Sequence, residues 1–186
     1  MLQYIKEHGV YVEITGYRSI AFVKAEAFLK TNRKQTQNVD IQFFDAELIA
    51  TQEHLYFAIL NALQVFENKT NHSKSLAMET ILYAATQCQI QKAIERCGIK
   101  PETKNMAVTI IGQAPTQIQN TLEALTKSVG TNPDEGVLEM TKIKEAKIKK
   151  VFEIQNEELK ILENGNRKKA IVNLVIERVA LLAVKG

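Results

Sequence analysis

The segment "NMAVTIIG", residues Asn105 to Gly112, is nearly continuous in apolar residues. A short apolar run bounded by turn-forming residues is typical of a strand that is buried on both faces. We therefore predict that this segment is the central strand of a sheet.

Two earlier segments have the composition of further strands. "GVYVEIT" (Gly9–Thr15) alternates apolar and polar residues, which predicts a strand with one solvated face, and "VDIQFF" (Val39–Phe44) predicts another. Between them, residues 19–34 have apolar residues at helical spacing, with Ser19 as a candidate N-cap.

Most of the remaining chain is predicted to be helical. "HLYFAILNALQVF" (His54–Phe66) is apolar around most of its circumference, so it must be covered on more than one side. Ser73 or Ser75 can cap "LAMETILYAA", and after a break at "TQCQ" the segment "IQKAIERC" ends at Gly98, a residue type suited to the left-handed C′ position. Further helical segments are 116–129, 141–153, 156–162 and 167–184.

Strands interleaved with helices predict an α/β (α+β) fold. We expect a small mixed β-sheet flanked by helices, followed by a helical C-terminal part. Repeats, low-complexity tracts and flexible linkers are missing from the sequence, so residues 1–186 are predicted to form a single domain.

The composition limits the classes of function. A net charge of +3 permits contact with nucleic acid without arguing for it, because a basic stripe matters more than the total. Two cysteines, Cys88 and Cys97, are too few for a disulfide framework or a zinc site, so we expect reduced thiols in a cytoplasmic protein. A run of eighteen apolar residues is missing, and no membrane association is expected.

The residues of an enzyme site are hard to find. Of the three histidines, His54 opens an apolar helix, where a hydrogen-bonded structural role is expected, and Glu79 suits the first turn of its helix through the macrodipole. The glycines form no phosphate-binding loop, and no spacing resembles a metal site. We therefore predict no catalytic residue, no metal and no cofactor.

The segment "NKTNHSKS", residues 68–75, concentrates cationic and hydroxyl side chains before a helix. Lysines and free N–H groups in such a place suit a phosphate backbone. The residues that could contribute are Lys69, His72, Ser73, Lys74, Lys92 and Arg96, and the "TQCQ" break leaves a notch between the helices. Composition alone leaves anion binding and a solvated loop as equal alternatives.

Two C-terminal segments are also unusual. "AIVNLVIERVALLAV" is polar only at Asn173, Glu177 and Arg178, so its apolar arc is wider than packing on one core requires. It is either buried centrally or it contacts both the core and another protein, and the second alternative is favoured. The lysines of "KIKEAKIKK" (142–150) mostly form a solvated face rather than a phosphate-binding one.

The segment "SKSLAMETILYAATQCQIQKAIERCGI" (Ser73–Ile99) resembles the TPRKB/Cgi family of KEOPS complex subunits. The resemblance continues in "EHLYFAILNAL", in "VTIIG" and in the apolar ending "IERVALLAV", and it covers most of the chain from about Val39. The lysine-rich segment after "GTNPDEG" is longer than family members lead one to expect.

The resemblance implies a non-catalytic subunit of a tRNA-modifying complex. KEOPS adds threonylcarbamoyl to the adenosine next to the anticodon, and this type of subunit binds the small atypical kinase/ATPase, and through it the remaining subunits. In archaeal members it also captures the 3′ CCA end of tRNA. By this resemblance the basic segment 68–75 and the following helices would bind tRNA, and Val175, Val179, Ala180 and Leu182 would bind the kinase.

The alternative hypothesis is a protein–protein regulatory module of the kinase that makes no direct contact with RNA. The two hypotheses differ in whether the protein binds tRNA with an intact CCA end.

Overall fold

The computed structural model describes residues 2–35, 39–162 and 165–185. Its strands are β1 (Gln3–Ile5), β2 (Val10–Tyr17), β3 (Val39–Asp45) and β4 (Met106–Gly112). Its α-helices are α1 (Phe22–Gln35), α2 (Gln52–Glu67), α3 (Leu76–Ala85), α4 (Ile90–Cys97), α5 (Pro115–Val129), α6 (Lys142–Val151), α7 (Asn156–Leu162) and α8 (Arg167–Lys185).

The four strands form one sheet in the order β1-β2-β4-β3. β4 lies between β2 and β3, which confirms that the apolar run is the central strand. The fold class predicted from the sequence is confirmed in its main features, a small sheet with helices and a helical C-terminal part. The sheet is not mixed, however, because β4 inserts antiparallel between β2 and β3, the two strands that run in the same direction.

The face of the sheet that packs under α1 and α5 forms a hydrophobic core. Across the three main strands, Thr15 lies opposite Val108, and Val108 lies opposite Phe43. The residues of the core, all buried, are Tyr17, Ile20, Ala25, Leu29, Ile41, Phe43, Met106, Val108, Ile110, Ile118, Leu125 and Val129.

The expectation that β2 has a solvated face is wrong. Glu13 and Thr15, the polar residues of the alternating pattern, are only 8% and 2% exposed, because their face is the one that α1 and α5 cover. Val12 and Ile14 on the opposite face are buried as well. The alternating pattern therefore distinguishes the two faces of this strand, but it does not predict whether either face is exposed to solvent.

Two local predictions for helix ends are also corrected. α1 begins at Phe22, and Ser19 precedes it by three residues with a φ of 56°, so Ser19 is not its N-cap. Gly98 follows the end of α4, but it forms an isolated antiparallel bridge with Phe44 rather than a left-handed cap. In both cases a contact from outside the helix fixes the backbone.

The chain divides into two compact units. The first contains the segment through Ala46 and Gly98–Val137, and so holds the sheet, α1 and α5. The second contains Glu47–Cys97 and the segment from Leu138 onward, and so holds the other helices. The single domain predicted from the sequence stays a prediction.

The helical unit is built around α2. This helix packs against α3 and α8, while α3 also packs against α4 and α8, and α8 contacts α6 and α7. The buried residues of α2 include His54, Leu55, Ala58, Ile59, Ala62 and Leu63. The wide apolar arc of α2 is thus covered on two sides, as its sequence indicates.

In the first unit, the turn that follows α5 folds back against the end of β2. The Asp134 N–H donates to the Gly16 carbonyl at 2.7 Å, and Arg18 Nε donates to Asp134 Oδ2 at 2.7 Å. A Cβ atom at Gly16 would overlap the Val137 side chain and lie 3.1 Å from the Asp134 carbonyl oxygen. The turn can approach β2 this closely only because residue 16 is glycine.

We expect Gly16→Ala to lower the free energy of unfolding by about 1–3 kcal/mol, because the added methyl group forces the turn away from β2. Chemical denaturation followed by circular dichroism measures the change. In the double variant with Val137→Ala, part of the loss should be recovered, since the overlapping side chain is removed. A single Gly16→Ala variant as stable as the parent would contradict the close packing described above.

Candidate functional site

The basic segment between α2 and α3, residues 68–75, is called the basic loop below. It begins where α2 ends, with the N–H groups of Asn68, Lys69 and Thr70 donating to carbonyls of the last helical turn. Lys69 takes a left-handed conformation with a φ of 56°. The loop ends at Ser75, whose hydroxyl accepts from the Met78 N–H, so Ser75 is the N-cap of α3.

A single buried carboxylate holds the basic loop. Glu79 in the first turn of α3 is fully buried, and its side chain accepts the N–H of Ser73 at 2.7 Å and the N–H of His72 at 3.1 Å. The His72 ring nitrogen Nδ1 lies 3.3 Å from Glu79 Oε1. From the sequence, Glu79 is expected only to interact favourably with the dipole of α3. The structure shows that its carboxylate also fixes the backbone of the basic loop.

The basic loop presents three cationic or titratable side chains to solvent, Lys69, His72 and Lys74. Ser73 is different, because it is 4% exposed and its hydroxyl donates to the Ser75 carbonyl at 2.7 Å. Ser73 therefore stabilises the loop and does not face a ligand. Lys92 is exposed on α4.

Arg96 lies away from the basic loop. Its Nη1 donates to the Ala85 carbonyl and to Thr86 Oγ1, both at 3.2 Å, so it binds the C-terminal end of α3. The loop precedes the other end of that ten-residue helix, about 15 Å away along the axis. The structure therefore does not bring Arg96 together with Lys74, although Lys92 lies one helical turn from Arg96.

Two residues of the "TQCQ" break, Thr86 and Gln87, line a cavity of about 240 Å³, which is otherwise bordered mainly by residues 151–153 and α8 rather than by α3 and α4. Arg96 and Arg178 both line it, and Arg178 Nη2 lies 3.0 Å from Glu158 Oε1. The two acceptors of Arg96 described above are uncharged, so its guanidinium brings positive charge to the cavity. The remaining lining residues are Val151, Phe152, Glu153, Leu181 and Leu182.

The four residues predicted to bind a kinase do not share an outer face of α8. Val175 and Val179 are fully buried and Leu182 is 7% exposed, so of the four only Ala180 faces solvent. The physical reason is that α8 packs against α2, α3, α6 and α7, which together use most of its apolar arc. The exposed residues over residues 173–183 are Asn173, Glu177, Ala180, Leu181 and Ala183.

His54 has the structural role that the sequence predicts. Its Nδ1 accepts the Ala50 N–H at 3.2 Å and its Nε2 donates to the Ala84 carbonyl at 2.9 Å. Burial lowers the pKa of His54 from 6.5 to about 4, the hydrogen bond to Ala84 opposes that shift, and the nearby Lys144 charge adds to it. A neutral ring with both nitrogens occupied and no exposure cannot act as a general base on a bound substrate.

The lysines of α6 are only partly a solvated face. Lys144 is 2% exposed, Lys147 Nζ lies 3.0 Å from Glu47, and Lys149 donates to Asn156 at 2.8 Å. Lys142 and Lys150 are exposed. The interpretation of the segment as mostly solvated thus holds for its outer residues and is wrong for Lys144.

Neither a metal site nor a membrane-spanning helix is found in the part of the chain that the structure describes. Over these residues, no group of three histidine, cysteine, aspartate or glutamate side chains lies close enough to hold a metal ion. No described helix combines the length and apolar character needed to span a membrane. Cys97 is buried and Cys88 is exposed, and neither forms a disulfide.

Comparison with known proteins gives two matches. A family model described as "Kinase binding protein CGI-121" matches residues 20–183. "Regulatory protein Cgi121" of Methanocaldococcus jannaschii is 28% identical to this chain over 144 residues, which cover 77% of this chain and 83% of the relative. Both matches agree with the resemblance seen in the sequence, and the family model extends it toward the N-terminus as far as residue 20.

The buried neutral state of His54 predicts a pH dependence of stability. Because its pKa is lower in the folded protein than in the unfolded chain, the unfolded chain takes up a proton first as the pH falls. Stability present above pH 6.5 is therefore lost between about pH 6.5 and 4, by about 3 kcal/mol in total.

His54→Gln should remove this part of the pH dependence, which denaturation at a series of pH values measures. In the parent, one histidine ring signal in the NMR spectrum should titrate near pH 4 and be missing from the variant. If the signal that the variant lacks titrates near pH 6.5 in the parent, His54 is not held neutral by burial.

Proposed function

Because the chain belongs to the CGI-121 family of kinase-binding proteins, we propose that it is a non-catalytic, regulatory subunit of the KEOPS complex. In this role it binds the small atypical kinase/ATPase subunit and reaches the other subunits through it, in the cytoplasm. The family match over residues 20–183 is the observation that carries the proposal. A binding role is consistent with His54, whose buried ring has no access to a substrate.

The kinase contact is proposed for the outer side of α8. Ala180, Leu181 and Ala183 are exposed and form a small apolar surface beside Asn173 and Glu177. The two alanines allow a partner helix or strand to approach the backbone closely. The other three residues of the initial prediction, Val175, Val179 and Leu182, support this surface from the buried side of the helix.

The second proposed activity is capture of the 3′ CCA end of tRNA, for threonylcarbamoylation of the adenosine next to the anticodon by the whole complex. Single-stranded RNA ends are bound through backbone contacts and through bases that leave the stack. Lys69, Lys74 and Lys92 offer cationic contacts, His72 offers a ring that can form a hydrogen bond, and the cavity at Arg96 offers a place for a base. The rigid attachment of the loop to Glu79 supports this, because a fixed loop loses little entropy on binding.

The alternative is a regulatory module that binds the kinase and makes no direct contact with RNA. In that case the exposed lysines of the basic loop are solvated and have no ligand. Binding of tRNA with and without its CCA end separates the two functions, since only the first of them requires an intact end.

Kinase binding should depend on Ala180. Replacing it with aspartate places a charge on the proposed contact surface, and burying that charge costs about 3 kcal/mol, roughly a hundredfold in affinity. Co-purification with the kinase subunit of the same organism measures the loss. Ala27→Asp, at an exposed alanine of α1, is the matched control and should bind normally. A folded Ala180→Asp variant that binds the kinase like the parent would place the interface elsewhere.

Binding of tRNA should depend on the lysines of the basic loop and α4. The triple variant Lys69→Glu, Lys74→Glu, Lys92→Glu should bind tRNA more weakly and with a shallower salt dependence, by about 0.7 in slope for each lost single-strand phosphate contact. Arg96 is left unchanged because it stabilises the end of α3.

The control for that experiment carries the same change of charge in the unit that contains the sheet, at Lys6, Lys24 and Lys127, which are exposed. It should bind tRNA like the parent, and both triple variants should bind the kinase. If the basic-loop variant binds tRNA with the affinity and the salt slope of the parent, the protein is better described as a regulatory module of the kinase that makes no direct contact with RNA.

A further inference from the structure

The positive charge of this chain is concentrated on one helix. α6 has five lysines and one glutamate, a net charge of +4, whereas the whole chain has a net charge of +3. An even distribution of charge would place almost none of it on ten residues. The concentration therefore calls for an explanation beyond solubility.

The buried and exposed sides of α6 are clearly divided. Lys144 and Ile148 point into the helical unit, and Lys142 and Lys150 are exposed on the opposite side. Eight residues separate these two exposed lysines, a rise of about 12 Å along the helix. Between them lie Ala146 and Ile143, which is 72% exposed.

The start of α8 extends this basic surface. Arg167 Nε donates to Glu145 Oε1 at 2.6 Å, so the one acidic residue of α6 is already paired with an arginine. The same bond brings the first turn of α8 beside α6, and Lys168 and Lys169 are exposed there. We use the name α6 basic face for four exposed lysines of this region, Lys142, Lys150, Lys168 and Lys169.

We propose that the α6 basic face binds the phosphate backbone of duplex RNA, separately from the basic loop. The proposal rests on the proposed RNA-binding function and adds the part of the RNA that is double-stranded. Duplex RNA is recognised mainly by shape and phosphate contacts, for which lysines on a convex helix are sufficient.

The chemistry of the face favours a duplex over a single strand. Binding of single strands without sequence preference uses aromatic side chains on which bases stack. Neither α6 nor the segment Arg167–Lys169 contains an aromatic residue, so this face offers charge and one exposed isoleucine but no stacking platform. The α6 basic face therefore makes contact through charge alone.

The test uses the full chain and three probes. They are a blunt RNA duplex of about 16 base pairs, a single-stranded RNA ending in CCA, and polyglutamate as an acidic polypeptide. The variant carries Lys142→Glu, Lys150→Glu and Lys168→Glu, and a second variant has arginine at the same three positions. The triple change at Lys6, Lys24 and Lys127 is again the charge-matched control.

The glutamate variant should bind the duplex roughly tenfold more weakly or worse, with the salt slope reduced by about 0.9 for each lost contact. Its binding to the CCA strand should be unchanged, which also shows that it is folded. The arginine variant and the control should bind the duplex like the parent.

Three results would overturn the proposal. They are a parent protein that does not bind the duplex, a glutamate variant that binds it with the parent's affinity and slope, and polyglutamate bound by the parent as tightly as the duplex. None of them affects capture of the CCA end, which the single-stranded probe reports independently. A parent that binds the duplex through this face and ignores the CCA strand would instead refute the proposed capture and leave this inference standing.

Discussion

The candidate RNA surface depends on one interaction, the acceptance of two backbone N–H groups by the buried carboxylate of Glu79. A fully buried carboxylate is costly unless its hydrogen-bonding capacity is satisfied, and the N–H groups of His72 and Ser73 provide this. The loop must therefore keep its backbone close to α3, and it can expose Lys69 and Lys74 without becoming disordered in doing so. The basic loop is ordered because a buried carboxylate requires its backbone N–H groups as hydrogen-bond donors.

α8 shows how one helix divides its surface between stability and binding. Its widest apolar arc is used within the helical unit, where Val175 and Val179 are fully buried. Among the apolar residues left outside are the small Ala180 and Ala183, with Leu181 beside them. At the two alanines the backbone of the helix stays accessible to a partner.

The sequence predicts the parts of this molecule that local patterns determine. The apolar run of β4 and the buried role of His54 follow from spacing and residue type, and Ser75 is one of the two N-caps that the sequence allows. The position of Arg96 does not, because a helix pattern gives no information on which distant carbonyl a long side chain will reach. The burial of Glu13 and Thr15 on β2 is not predicted either, because packing by α5, far along the chain, contributes to it.

The division of the chain into two interleaved units has a consequence for its synthesis on the ribosome. The sheet lacks its middle strand until β4 has been made, about sixty residues after β3. The helical unit waits still longer, because the side of α2 that packs against α8 stays uncovered until that helix emerges. Each unit needs a segment that is translated after part of the other, so apolar surface of both units stays exposed during much of translation.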